Sequence, residues 1–425
     1  MRKFKMFGYS ISMVLLFANS AAGQGGLSID ECQQKARANY PDVKQYGLLE
    51  LSARYDLSSL SKLYLPQVSF NAQASYQSDV VRVPIDIPGV DIPSQSREQY
   101  RATLDVSQTL WDGGSVASQR RLTALSNELD KEGVDVALYA LRERVNNLFF
   151  GILMLGEQLK QLDILNDDLQ NGHRMVEAFV RSGTAMQSDA DAVRVEILNT
   201  MQRKAELLSA RAAYLEMLSA MTGAKIDTST VFVKPVDVMV DRVAALARPE
   251  LALFDRQLAL FDARQDAVAA KNMPRISLFL QGGYGKPGLN MLSDKFDFFA
   301  LGGLRLTWNF GGLYTRKNEL GAIAAGRNLT DVRRETFVFN VELQSSKLYG
   351  EIEKARRLIE LDDEIISLRA EVKKASESKY RNGVYTVNDL LRDINAESLA
   401  RQAKIVHEIR YLHDAYNFRA TRGMD

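Results

Sequence analysis

The chain has 425 residues, with 54 lysines and arginines against 53 aspartates and glutamates and a formal charge of +1. That balance gives no electrostatic footprint for a nucleic-acid partner. One cysteine, Cys32, excludes an internal disulfide; its neighbours Ile29-Asp30-Glu31 lack the small apolar residues of a lipid-attachment site, so it reads as a small residue on a helix face.

Residues 1–23 read as an address. Arg2, Lys3 and Lys5 form a basic start, Ile11 to Ala18 a short apolar run and Ser20-Ala21-Ala22-Gly23 a small-residue cleavage site, the pattern of a signal peptide. The mature chain then begins near Gln24, and loss of the three basic residues takes the charge from +1 to −2. No other segment approaches the ~20 apolar residues of a membrane helix, so any membrane part must be a β-barrel.

A helix is expected over 27–62, then strands over 67–82 and 98–110. Val68, Phe70, Ala72, Ala74 and Tyr76 alternate with Gln67, Ser69, Asn71, Gln73, Ser75 and Gln77, and Ala102, Leu104, Val106 and Leu110 alternate with Arg101, Thr103, Asp105, Ser107 and Thr109. The proline-bearing loop 81–96 reads as a long external crossing. A helix over 114–182 contains no proline and carries Leu148, Leu155, Leu162, Leu169 and Val176 at intervals of seven; it turns at Gly183 and returns over 184–222. After an equatorial linker at 224–240, the order repeats as helix 241–272, strands 275–285 and 296–309, helix 313–382 and return helix 384–422. Residues 24–223 and 241–425 are thus two internal repeats. Arg181-Ser182-Gly183 with Asp189 returns as Arg381-Asn382-Gly383 with Asp389, and Gly113-Gly114 returns as Gly311-Gly312.

Strands of this length fit tilted membrane strands of about 9 to 11 residues. Trp111, Trp308 and Phe310 at one end and Tyr76, Tyr100, Tyr284 and Phe296 at the other form two interfacial belts. A soluble sandwich would need a second sheet, which the otherwise helical chain lacks. Four strands cannot close a barrel, and an open edge in hydrocarbon is prohibitive, so the chain must oligomerise; two copies or three would both close. The long helices read as antiparallel rods in which 184–222 is extended end to end by 241–272, and 384–422 by 27–62. Small residues such as Ala205, Ala212 and Ala322 suit side-to-side packing into a curved wall rather than an isolated coiled coil.

A strand pair ending in Trp111-Asp112-Gly113-Gly114, a long helix, Arg181-Ser182-Gly183-Thr184 with Asp189, and the same unit again with Asn309-Phe310-Gly311-Gly312 and Tyr380-Arg381-Asn382-Gly383 with Asp389, resembles the TolC-type outer-membrane factor family over essentially the whole mature chain. The resemblance implies an α+β fold in which four strands per chain contribute to a trimeric 12-stranded β-barrel, continuous with a long antiparallel coiled-coil α-helical barrel. It also implies a homotrimer in the outer membrane of a Gram-negative bacterium, surrounded by outer-membrane lipid and extending into the periplasm. Its partners would be a periplasmic adaptor (membrane fusion) protein and an inner-membrane RND or ABC transporter. The adaptor would dock on the tips Arg181, Ser182, Gly183, Thr184 and Arg381, Asn382, Gly383, Val384. Twisting of the inner coils would open the tunnel.

In that family acidic residues six and nine positions after the second turn glycine ring a periplasmic gate. Asp389 matches the first place, but the second is Arg392, so a pairing of Asp389 with Arg392 across protomers is the expected closure, with Asp189 beside it. Gly113, Gly114, Gly311 and Gly312 would make the strand-to-helix turns.

Enzyme chemistry finds no support. His173, His407 and His413 have no second ligand at metal spacing and read as exposed helix-face residues. Gly283-Tyr284-Gly285-Lys286-Pro287-Gly288 satisfies a dinucleotide pattern but leads into another strand, and no cofactor is expected. The sequence therefore reads as a passive exit duct for small toxic compounds. The alternatives are an outer-membrane component of type I protein or peptide secretion, or a periplasm-spanning scaffold without transport.

Overall fold

The computed structural model describes residues 26–81, 95–236, 238 and 240–424. The expected leader, most of the 81–96 loop, residue 82 and two linker positions lie outside the described residues. Helix α1 (Ile29–Asn39) opens with a capping box, in which Glu31 N–H donates to Ser28 Oγ at 3.2 Å and Ser28 N–H to Glu31 Oε2 at 3.1 Å. Pro41 denies its predecessor helical dihedrals, so the helix expected over 27–62 breaks into α1, a 3-10 turn at Pro41–Val43 and α2 (Lys44–Lys62). Strands β1 (Gln67–Tyr76) and β2 (Glu98–Trp111) follow, then α3 (Ser115–Tyr139) and α4 (Leu141–Arg181). The interruption at Ala140 keeps right-handed dihedrals, φ −61° and ψ −16°. It is a local tightening where the Tyr139 hydroxyl donates to Ala420 O at 2.7 Å.

Helix α5 (Gln187–Thr222) leads to the linker, and α6 (Pro249–Lys271) starts later than residue 241 because Pro249 supplies the preset first turn. The second sheet half is β3 (Arg275–Lys286) and β4 (Asp297–Thr307), followed by α7 (Gly311–Arg381) and α8 (Val387–Arg422).

The sheet order is β1-β2-β3-β4, antiparallel throughout. Register places Val68, Phe70, Leu104, Val106, Leu278, Leu280, Leu304 and Leu306 on one face, where most are exposed. The other face carries Ser69, Asn71, Gln73, Arg101, Thr103, Asp105 and Gln281. Among the described residues, β1 and β4 have no further strand beside them.

Far from the sheet the helices lie in the row α5–α4–α8–α7; nearer the sheet the row is α2–α3–α6–α7. Asn127 Nδ2 of α3 donates to Leu49 O of α2 at 2.7 Å, and α6 pairs Arg256 with Glu128 of α3 at 3.0 Å and Asp255 with Arg334 of α7 at 3.0 Å. The stacking differs from the sequence expectation. The α1–α2 segment, not α6, continues α5: Asn39 Nδ2, at the end of α1, donates to Ala220 O and Met221 O, both at 3.2 Å. Helix α6 continues α8, with Ala247 N–H donating to Arg422 O at 2.9 Å. The linker makes this exchange by crossing the rods; Leu27 N–H donates to Val231 O at 2.8 Å and Val233 N–H to Leu27 O at 3.0 Å, fixing it beside the N-terminal segment.

The main core lies at this crossing, around Phe149, Phe150, Ile152, Leu218 and Phe418. Cys32 is in it, and burial pushes its thiol up to about 12, so it acts as a small apolar residue. A second core, of Leu162, Leu169, Val176, Val193, Leu390 and Ile394, joins the two hairpins toward their tips.

Gly423 closes the α8–α6 junction at φ +83°, and a Cβ there would lie 2.4 Å from Ala247 C. Gly383, at φ +74°, has open space around it. Gly423→Ala is expected to cost about 2 kcal/mol and Gly383→Ala about half that, seen as the drop in urea midpoint of the detergent-solubilised protein. Equal drops would mean that the junction yields freely.

Candidate functional site

Both hairpin tips end in the same local geometry. At the first, Gly183 takes φ +78°, Thr184 N–H donates to Phe179 O at 2.9 Å and Gly183 N–H to Val180 O at 3.0 Å; at the second, Val384 N–H donates to Lys379 O at 2.9 Å and Gly383 N–H to Tyr380 O at 3.0 Å. These bonds satisfy helix-end carbonyls and need a left-handed residue, which glycine supplies without strain. Ser182 Oγ and Thr184 Oγ1 donate to Phe179 O, and Asn382 Nδ2 to Ser378 O at 2.9 Å. Arg181 and Arg381 are exposed. Beside them Met186 and Val384 stand 74% and 70% exposed, so each tip offers an apolar knob next to a guanidinium. Phe179 meets Tyr380 edge-to-face at 5.7 Å, holding the tips side by side.

Asp189 and Asp389 serve first as helix starts. Asp189 Oδ2 accepts from Met186 N–H at 3.0 Å; Asp389 Oδ2 accepts from Thr386 N–H at 3.1 Å and Thr386 Oγ1 at 2.7 Å. The Thr386 bonds, then Arg392, hold the Asp389 carboxyl below the usual carboxylate range. Arg392 Nη1 lies 3.2 Å from Asp389 Oδ1 in the same helix, with Asp393 at 3.6 Å. Within this chain Asp389 and Arg392 thus meet inside one helical turn, because three residues put both groups on one face. Burial, then the charge of Asp189, push the Tyr380 phenol up.

The strand-to-helix turns are not alike. Gly113 and Gly114 take φ +71° and +83°, and Asp112 caps the turn by accepting from Gly114 N–H at 3.0 Å and Val116 N–H at 2.6 Å. Gly311 and Gly312, expected to match them, are already the first residues of α7; Asn309 Oδ1 accepts from Gly311 N–H at 2.9 Å and starts the helix sooner.

The histidines are less exposed than expected and are all partnered. His407 Nδ1 lies 2.6 Å from Asp362 Oδ2, His413 Nε2 lies 2.6 Å from Asn147 Oδ1, and His173 is 3.8 Å from Glu177. Among the described residues no group of three or more metal-capable side chains occurs, and no helix is long and apolar enough to cross a membrane.

One charged cluster has no local sequence signal. Lys373 Nζ of α7 lies 2.5 Å from Asp168 of α4 and 2.9 Å from Glu397 of α8, and Arg401 Nη2 is 2.7 Å from the same Glu397. It joins the α4–α5 hairpin to the α7–α8 hairpin above the tips.

The family model for outer membrane efflux proteins matches residues 33–224. No curated protein matches the chain. Among solved structures it is similar to CusC at 14% identity with TM-score 0.68, over 93% of this chain and 92% of that one. It is similar to the CmeC outer membrane channel of Campylobacter jejuni at 13% identity and TM-score 0.65, over 93% and 85%. It is likewise similar to the MtrE outer membrane channel of Neisseria gonorrhoeae at 17% identity and TM-score 0.64, over 93% and 89%. These likenesses give the fold, and the family match covers residues 33–224, the stretch that carries the first copy of the motifs resembling TolC-type outer-membrane factors.

Proposed function

We propose that three copies of this chain close into one duct, through which small toxic compounds, handed over by an inner-membrane transporter through a periplasmic adaptor, leave the cell passively. The observation that carries this reading is the agreement of free edges at three levels. The sheet ends in β1 and β4, the helix row nearer the sheet in α2 and α7, and the distal row in α5 and α7. One rotation that pairs β4 with the next β1 also brings α7 to the next α2 and α5. That is a head-to-tail contact, and such contacts close into rings. Two copies would give eight strands, whose interior side chains fill, whereas twelve leave a bore.

The tips support docking of an adaptor, since each pairs an exposed apolar side chain with an arginine on a turn fixed by its own backbone bonds. The family's efflux description favours drug export over type I secretion. Photo-crosslinking from probes at Ser182 and Asn382 in intact cells tests the proposal. Capture of the adaptor of a proton-driven pump is the expected result, and capture of an ABC exporter's adaptor would move the reading to secretion. Capture of nothing periplasmic, with unchanged drug tolerance in a deletion strain, would leave only the scaffold.

A further inference from the structure

The polar face of the sheet is not uniformly polar. On its β3–β4 half, register brings Phe279, Phe299 and Leu301 into a short apolar strip, where the β1–β2 half carries Ser69, Asn71, Gln73, Thr103, Asp105 and Ser107. Glycines make the room. Gly303 sits opposite Phe279 and Gly283 opposite Phe299, and a Cβ on Gly283 would lie 2.3 Å from the Phe299 ring. The rings therefore lie flat over bare backbone, an arrangement known to compensate glycine in a strand.

Each ring is also met by a guanidinium. Arg305 Cζ stands 4.7 Å from the centroid of Phe279, and Arg101 Cζ stands 5.7 Å from that of Phe299. Arg101 reaches its ring from β2 across the β3 positions Gly283 and Gly285, which offer no side chain in between. Both arginines are exposed. Of the carboxylates on this face, Asp105 already accepts from Asn71 Nδ2 at 2.8 Å, from Thr103 Oγ1 at 2.9 Å and from Gln281 Nε2, Asp297 accepts from Phe298 N–H at 2.9 Å, and no ion pair joins either to Arg101 or Arg305 among the described residues.

The geometry points to this ladder as a contact site for amphiphilic organic anions passing through the barrel: the phenyl and leucine strip takes the apolar body, and the two guanidiniums take a carboxylate or sulfonate. The inference rests on the duct reading, in which the polar face lines the bore. A cationic amphiphile would meet the same strip but two like charges. The strip escapes the alternation that marks the strands, because Phe279, Phe299 and Leu301 occupy the polar register.

Planar-bilayer recording separates the two claims. Wild-type channel in a KCl gradient is expected to prefer chloride, and cholate is expected to block it at lower concentration than dodecyltrimethylammonium. In Arg101→Gln/Arg305→Gln the half-blocking cholate concentration should rise about tenfold and the chloride preference fall. Arg101→Lys/Arg305→Lys should keep the chloride preference. Equal block by both amphiphiles, or cholate block unchanged in the Gln variant, overturns the ladder while leaving the duct intact. A wild-type protein inserted in the bilayer that carries no current overturns the duct reading and the ladder with it.

Discussion

A chain carrying Ile365→Asp and Leu368→Asp is expected to keep its helices and lose its assembly. Leu361, Ile365, Leu368 and Val372 repeat at four, three and four residues along α7, the spacing of a coiled-coil seam, yet Ile365 and Leu368 are 45% and 55% exposed. The face of α7 toward α8 is a different one, with Ile352, Ala355, Ser376 and Tyr380 buried. Along this distal stretch α7 thus has two seams and, among the described residues, one partner, α8. At the opposite edge of the row, α5 leaves Val195, Leu198, Met201 and Leu208 exposed. Burying a large apolar side chain is worth about 1.5–3 kcal/mol, and an unpaired carboxylate in such a seam costs several more. In a ring the loss recurs at every interface. Light scattering of detergent-solubilised protein should give one chain per particle, with far-UV circular dichroism unchanged. A variant that keeps the wild-type mass would show that this seam is not the contact between copies.

The regular elements were legible because their signals are local. Period two over residues 67–77 marked a strand, seven-residue spacing of leucines marked α4, and Gly183 and Gly383 marked turns that only glycine makes without strain. The exchange of α2 and α6 was not legible. Which helix end abuts which is decided by the linker's path and by contacts such as Asn39 to Ala220, made across 181 residues of sequence. Nor was it legible that the identical dipeptides Gly113-Gly114 and Gly311-Gly312 sit differently at their strand-to-helix turns. What precedes them differs: the carboxylate of Asp112, directly before Gly113, holds Gly114 and Val116, while Asn309, two residues before Gly311, holds Gly311 as α7 begins.

At the tips the sequence marked the turn residues but not Met186, whose exposure depends on where α5 begins. Arg392 was marked as a departure from the acidic pattern, and its partner is Asp389 of its own helix. That is the arrangement three-residue spacing favours when no other chain competes.

Removing Lys373 is expected to be the most damaging single charge change in the rods. Its side chain is 15% exposed between Asp168 and Glu397, and that of Glu397 is 8% exposed. Lys373→Met leaves Glu397 with Arg401 alone and Asp168 with no cation in this cluster, and should cost about 3 kcal/mol, the range for breaking a buried pair. Lys373→Met/Glu397→Leu should recover most of that loss, since a matched apolar pair carries no stranded charge. Burial pushes the Glu397 carboxyl up, but the bonds from Lys373 and Arg401 outweigh it and leave the group below its ordinary value. Its stabilisation is therefore complete above an unfolded value of about 4.3 and is lost as pH falls through the lower folded value. Burial lowers Lys373, its two carboxylate bonds raise it further, and its contribution disappears only as pH rises through a folded value above about 10.4. Urea midpoints measured from pH 7 down to 3 should thus fall less steeply in Glu397→Gln than in the wild type. Parallel slopes would place the acid sensitivity elsewhere. Because the cluster spans α4, α7 and α8, any widening of the tunnel that moves the second hairpin away from the first must stretch these bonds. On the duct reading, Lys373→Met should then raise the conductance of channels in lipid bilayers as it lowers the urea midpoint.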